Sequence, residues 1–255
     1  ERARSAVRRD GPGLWLSINQ ELPAQYDDWM QSHPFVMTVA NDKGGVGKTT
    51  TTLNLAAAFA TKLSKPVLVI DLDPQGSASA QMFAGTEWWP QKGQQSGASL
   101  AIDGGQLPAW LVGLASAPKP FTSRDSAGTT RQTPNLVGLS SFYELIETED
   151  RAVAEWLIGD RMMDIRYNLF RLLRDPAVRE RFGMVLIDAP PRFSISSIQA
   201  LCASTHVLIP SILDNTSATA VGYFGQQLRR HEALWPRLRV VGILGTMAEN
   251  LNSDP

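Results

Sequence analysis

At 255 residues the chain has room for one large domain or two small ones, and 43% hydrophobic with 19% charged residues is the balance of an ordinary globular protein. The formal net charge is −1. No global field therefore marks a nucleic-acid or membrane binder, and any such surface has to be a local patch. The single cysteine, Cys202, excludes a disulfide framework and a cysteine-rich metal site. No apolar run approaches the roughly 20 residues that cross a bilayer, and Glu1-Arg2-Ala3-Arg4 lacks the apolar core of a secretory signal. A reducing cytoplasm is the expected location.

Residues 1–34 read as an irregular preface. Arg2, Arg4, Arg8 and Arg9 make its start basic, Gly11-Pro12-Gly13 breaks it, and Trp15, Leu16, Tyr26, Trp29 and Met30 offer apolar anchors. Two readings stay open: an extension packed on the main domain, or an arm that contacts a partner or DNA or is the remnant of a longer N-terminal domain. From residue 35 to 255, strands and helices alternate. This predicts an α/β fold, a mostly parallel twisted sheet covered by helices on both faces. The first strand is Phe35–Ala40, and the helix after it shows an apolar stripe at Leu53, Ala56, Ala57, Ala60 and Leu63. Val67–Ile70 is a second strand. Residues 85–134, rich in Gly, Ser, Gln, Pro and Thr, read as loops, with Trp88-Trp89 near their start. Leu136–Leu139 is a strand. One helix is expected over 144–175, with Met162, Ile165, Leu169, Leu172 and Leu173 inward, Arg166, Arg171 and Arg174 outward, and Pro176 at its end. Strands Met184–Ile187, His206–Ile209 and Val240–Leu244 follow, separated by helices over 195–203 and 218–231.

Three motifs carry chemistry. Between the first strand and its helix stands Lys43-Gly44-Gly45-Val46-Gly47-Lys48-Thr49-Thr50. Strand, glycine-rich loop and helix together form a phosphate cradle, in which small residues let main-chain N–H groups turn onto phosphate oxygens. Lys48 adds a charge near the β- and γ-phosphates, Thr49 is placed to ligate Mg²⁺, and Thr50 falls near the α-phosphate. The ordinary loop has a glycine where Asp42 stands, and Lys43 is an additional lysine. The second motif, Asp71-Leu72-Asp73-Pro74-Gln75-Gly76, puts two carboxylates just past a strand end, where ligands of open parallel sheets sit. In the third, four apolar residues end in Asp188 and lead into Ala189-Pro190-Pro191. That pattern suits a carboxylate in the Mg²⁺ shell, since this small cation keeps several waters and few protein ligands.

The loop K-G-G-x-G-K-T-T resembles the deviant Walker A loop of the ParA/MinD family of P-loop ATPases. The D-x-D-P-Q-G and D-x-P-P segments, and Gly242-Ile243-Leu244-Gly245-Thr246-Met247, resemble the corresponding family motifs. The resemblance spans about residues 35–250 and implies ATP and Mg²⁺ as cofactors. It assigns phosphate binding to Gly44, Gly45, Val46, Gly47, Lys48, Thr49 and Thr50, and the Mg²⁺ shell to Thr49, Asp71 and Asp188. Catalysis falls to Lys48, to Asp73 acting on the attacking water, and to Lys43 reaching across a dimer interface. The single cysteine speaks against the family's iron–sulfur members.

The resemblance implies slow ATP hydrolysis stimulated by a partner, an ATP-dependent homodimer, non-specific DNA binding, and an adaptor or activating protein. The role would be segregation or positioning of a plasmid, chromosome region or other cargo. A MinD-like membrane-positioning switch and an ATP-gated module controlling a partner remain alternatives, and no terminal amphipathic helix supports a membrane partner. The resemblance also implies a base-binding turn and basic helices beyond the last strand, so the domain is read as lacking its C-terminal end. Asn250 and Asn252 are candidates near the base. Arg229, Arg230, His231, Arg237 and Arg239 form the late basic cluster, read either as a solvated face or as a phosphate-backbone contact.

Overall fold

The computed structural model describes residues 13–16, 21–32, 35–83, 95–104, 121–124, 130–133, 135–159, 161 and 163–247. Trp88-Trp89, Met162, Asn250, Asn252 and the arginines of the first nine residues lie outside them.

Six strands form one parallel sheet: β1 (Phe35–Val39), β2 (Val67–Asp71), β5 (Leu136–Leu139), β6 (Met184–Asp188), β7 (His206–Ile212) and β8 (Arg239–Thr246). Their order across the sheet is β5-β2-β6-β1-β7-β8, and every neighbouring pair is parallel. The near-continuous apolar runs of β1, β2 and β6 reflect burial on both faces. Side chains alternate between two cores. Val36, Leu68, Ile70, Val185, Ile187, Val207 and Ile209 enter the larger one, whereas Met37, Val67, Val69, Met184 and Leu186 enter the smaller. The helix Lys48–Ala60 (α2) closes the smaller core with Leu53, Ala56 and Ala60, joined by Ala78 of the short helix α3 (Ser77–Phe83). On the other face lie α4 (Gly97–Asp103), α5 (Glu144–Ile158), α6 (Asn168–Arg174), α8 (Ile195–Ala203) and α9 (Asn215–Arg230). All nine residues of α8 are buried, Cys202 among them. At the outer edge β8 leaves Val240, Val241 and Ile243 exposed.

Three sequence expectations are corrected. The span 85–134, read as loops, contains the helix Gly97–Asp103 and a two-stranded antiparallel hairpin, β3 (Phe121–Arg124) with β4 (Thr130–Thr133). The helix has both of its local signals: Ser96 accepts from the Ser99 N–H at its start, and Gly104 takes a left-handed φ of 75° at its end. The single helix expected over 144–175 is broken. Gly159, at φ 94°, ends α5, and the chain resumes as a 3-10 turn, Ile165–Tyr167, followed by α6. Arg166 does not face out but is fully buried, bonded to Asp164 and the Trp15 carbonyl and lying over the Trp156 ring. Pro176 does mark a stop, since α6 ends at Arg174, and it then begins a further short helix, α7 (Pro176–Arg179), a position where its missing N–H costs nothing.

The preface contributes helix α1 (Tyr26–Ser32), whose Tyr26 and Trp29 are buried in the larger core. Tyr26 packs on Phe170 with ring centroids 5.3 Å apart, and Trp29 meets the same ring edge-on at 6.0 Å.

Candidate nucleotide site

The order of strands decides where the site lies. β1 sits between β6 and β7 although the chain runs from β1 to β2, so the loop leaving β1 occupies the point where the winding direction changes. That loop is Ala40–Gly47. Its turns need positive φ at Gly45 (72°) and at Gly47 (81°), which also N-caps α2. A Cβ built on Gly44 or Gly45 would meet no atom within 4 Å, so the loop opens its backbone outward. Lys48 points back across the loop, its Nζ donating to the Lys43 carbonyl at 2.9 Å. Burial lowers the Lys48 pKa, and Asp188, Asp73 and Asp42 work against that shift. Asn41 braces the start: its amide donates to the Pro210 carbonyl at 2.8 Å and its Oδ1 accepts from the Lys43 N–H at 3.0 Å. From β8, the Thr246 hydroxyl donates to the Val46 carbonyl at 2.9 Å.

The carboxylates converge on this loop. Parallel register aligns Val39 with Asp188 and Asp188 with Asp71, so the ends of β1, β6 and β2 stand side by side. Asp188 accepts from the Thr49 hydroxyl at 2.7 Å, and the Thr52 hydroxyl lies 3.4 Å from its other oxygen. Burial, followed by the charge of Asp71, pushes the Asp188 carboxyl up to about 7. Asp71 is likewise pushed up by burial, to about 6. Its oxygens accept from the Ser79 N–H (2.8 Å), the Ser79 hydroxyl (2.7 Å) and the Asp73 N–H (3.0 Å). It thereby folds the turn that presents Asp73, which is only partly buried and accepts from the Gln75 N–H at 3.0 Å. Gly76 ends that turn at φ 63°, and a Cβ there would stand 2.6 Å from the Ser141 carbonyl.

Beyond Asp188, the segment Ala189–Phe193 is anchored on two sides. Glu149 of α5, nearly fully buried, pairs with Arg192 and accepts from the Ser194 hydroxyl at 2.6 Å and the Ser196 N–H at 3.2 Å. Phe193 packs against His231 at 5.1 Å and Trp235 at 6.4 Å. His231 is thus a core residue and leaves the late basic cluster, whereas the exposed Arg237 pairs with Asp27 at 2.8 Å. His206, at the start of β7, stacks on Phe35 at 4.1 Å.

The structure brings Lys43, Lys48, Thr49, Asp71, Asp73 and Asp188 to one end of the sheet, and Thr50 is exposed on the first turn of α2. Sequence reasoning missed Asn41, Thr52, Ser79 and Glu149. Each acts through a contact distant in sequence or through a hydroxyl with no motif of its own. The donor set, a hydroxyl and carboxylates with no cysteine or histidine, suits a hard divalent cation.

Comparison with known proteins agrees with this geometry. A family model described as an AAA domain matches residues 35–234. The chain is 33% identical over 212 residues to the chromosome-partitioning ATPase Soj of Thermus thermophilus, covering 83% of this chain and 68% of that protein. It is 28% identical over 230 residues to the chromosome partitioning protein ParA of Caulobacter vibrioides, covering 88% and 74%. Among solved structures, cobyrinic acid a,c-diamide synthase from Mycobacterium smegmatis with bound ADP and magnesium superposes with a TM-score of 0.62 at 27% identity, over 85% of this chain and 76% of that one. The chain belongs to the ParA/MinD family of P-loop ATPases.

Proposed function

We propose that the protein is a Mg²⁺-dependent ATPase of the ParA type whose nucleotide state switches it between separate protomers and an ATP-bound homodimer. The dimer binds DNA or a partner and releases it after hydrolysis, in segregation or positioning of a DNA region or other cargo. The observation that carries this reading is the convergence of an outward-opening glycine loop, the Thr49–Asp188 bond and two in-register carboxylates at one strand end.

Main-chain N–H groups of Gly44, Gly45, Val46 and Gly47 would bind the phosphates, joined by those of Lys48, Thr49 and Thr50 at the start of α2, where the helix dipole favours anions. The Lys48 ammonium would trade its bond to the Lys43 carbonyl for the β- and γ-phosphate oxygens. Thr49 and Asp188 would hold Mg²⁺, with Asp71 in support. The bound cation neutralises charge on phosphate oxygens. Asp73, at the mouth of the site on a turn built by Asp71, would orient the attacking water. Lys43 supplied by the second protomer would act as a finger in trans, a device worth roughly 10³–10⁵ in rate. The likeness to the Thermus chromosome-partitioning ATPase supports hydrolysis and a partition role, and the ADP- and magnesium-bound synthase supports the nucleotide and the cation.

The test is a DNA titration of the protein with ATP and with ADP at several salt concentrations, alongside phosphate release. ATP-dependent, salt-sensitive binding is expected. Binding to anionic vesicles instead would point to a membrane-positioning switch, binding to neither to an ATP-gated module, and absence of phosphate release would remove the ATPase.

A further inference from the structure

Lys43 is held within its own subunit. Its Nζ donates to the Ser217 hydroxyl at 2.7 Å and lies 3.4 Å from each oxygen of Asp214. Asp214 also N-caps α9, its Oδ1 accepting from the Ser217 N–H at 2.6 Å. The cap fixes the carboxylate, and the fully buried Ser217 fixes the direction of approach. The main chain of Lys43 is tied as well, its N–H to Asn41 and its carbonyl to Lys48. The side chain is therefore the part that can swing. An ammonium has three donors, and here they face α9 rather than away from the subunit.

We propose that Asp214 and Ser217 form a berth that holds Lys43 in cis, so that pairing of protomers must first draw the lysine out. The berth rests on the reading that Lys43 acts across the interface, and it adds a regulatory element to it: α9 sets the threshold for ATP-driven pairing. The contact is partly exposed, with Lys43 at 27% and Asp214 at 45% side-chain exposure. It is a threshold rather than a lock, since exposed ion pairs shift equilibria by only roughly two- to fivefold and weaken with salt.

The experiment follows pairing of the whole chain by sedimentation in Mg²⁺ and a non-hydrolysable ATP analogue. Asp214→Asn removes the charge and keeps a good N-cap. Ser217→Ala removes the hydroxyl and keeps the backbone N–H. Both variants should pair at roughly two- to fivefold lower protein concentration than the native chain, and the gain of Asp214→Asn should shrink at high salt. In a Lys43→Ala background Asp214→Asn should bring no gain, because no lysine remains to release. Pairing of both single variants at the native concentration or above, while Lys43→Ala fails to pair, overturns the berth and leaves the cross-subunit role standing. Native pairing by Lys43→Ala overturns the cross-subunit role and the berth with it.

Discussion

Asp188 stands where the strand ladder, the phosphate loop and the neighbouring Asp71 meet, and its protonation has a thermodynamic consequence. Its carboxyl is pushed from 3.8 to about 7, and that of Asp71 to about 6, with burial the leading cause of both. The folded state therefore holds protons that the unfolded chain gives up. This contribution to stability is full below about pH 4 and is lost as the pH rises through about 6 to 7. Asp188→Asn is neutral and nearly isosteric, so the nucleotide-free variant should lose less of its melting temperature between about pH 5 and pH 8 than the native protein. Thermal melts across that range decide it, and an equal or steeper fall in the variant would count against the burial argument. Asp73 is the contrasting carboxylate, partly exposed and outside the Thr49 contact. Asp73→Ala should retain ATP binding and lower turnover by about 10² or more, accumulating an ATP-bound dimer. Normal turnover in that variant removes the water-orienting role. The glycines, lysines and aspartates of this site were legible because each sits at a fixed offset from a strand end. Ser79, which satisfies Asp71 from eight residues away, and Glu149, which reaches Ser194 from another helix, carry no such offset.

At the level of elements, the region 144–175 shows how an apolar period can outlast its helix. The inward pattern of Ile165, Leu169, Leu172 and Leu173 is real, and all four are buried. Gly159 breaks the helix, however, and the chain re-enters the core through the turn at Ile165–Tyr167, which carries Arg166 inward with it. Periodicity cannot report this, because a guanidinium is ordinarily placed at the surface; beside its near neighbour Asp164, the partners that hold it inside, the Trp15 carbonyl and the Trp156 ring, come from other segments. Removing one side of a buried pair leaves an uncompensated charge. Asp164→Ala should therefore cost about 3–5 kcal/mol, and adding Arg166→Met should recover part of that loss. Denaturant unfolding of the single and double variants measures it. A double variant less stable than Asp164→Ala alone would mean that the arginine's remaining contacts outweigh its stranded charge. The strands were easier to read, since burial on both faces leaves almost no polar residue within β2 and β6 before their terminal aspartates.

At the scale of the whole molecule, the preface and the sheet share one core. Tyr26 and Trp29 lie against Phe170, Arg174 donates to the Ala24 carbonyl at 2.7 Å, and Arg166 donates to the Trp15 carbonyl. The sequence left two readings for residues 1–34 because a few aromatic anchors in an irregular stretch suit a packed extension as well as a docking arm. The larger core lies on the face of the sheet opposite α2, so the preface stabilises the domain from behind the nucleotide site rather than at it. That geometry separates stability from chemistry. Trp29→Ala should cost about 3–5 kcal/mol and lower the melting temperature on the order of 10 °C, while ATP affinity at a temperature well below the transition stays native. Because the side chain belongs to the same buried cluster as the strands, the melt should remain a single transition that moves as a whole, followed by calorimetry on the full chain. A separate early transition with the main peak unmoved would instead make the preface an independent appendage.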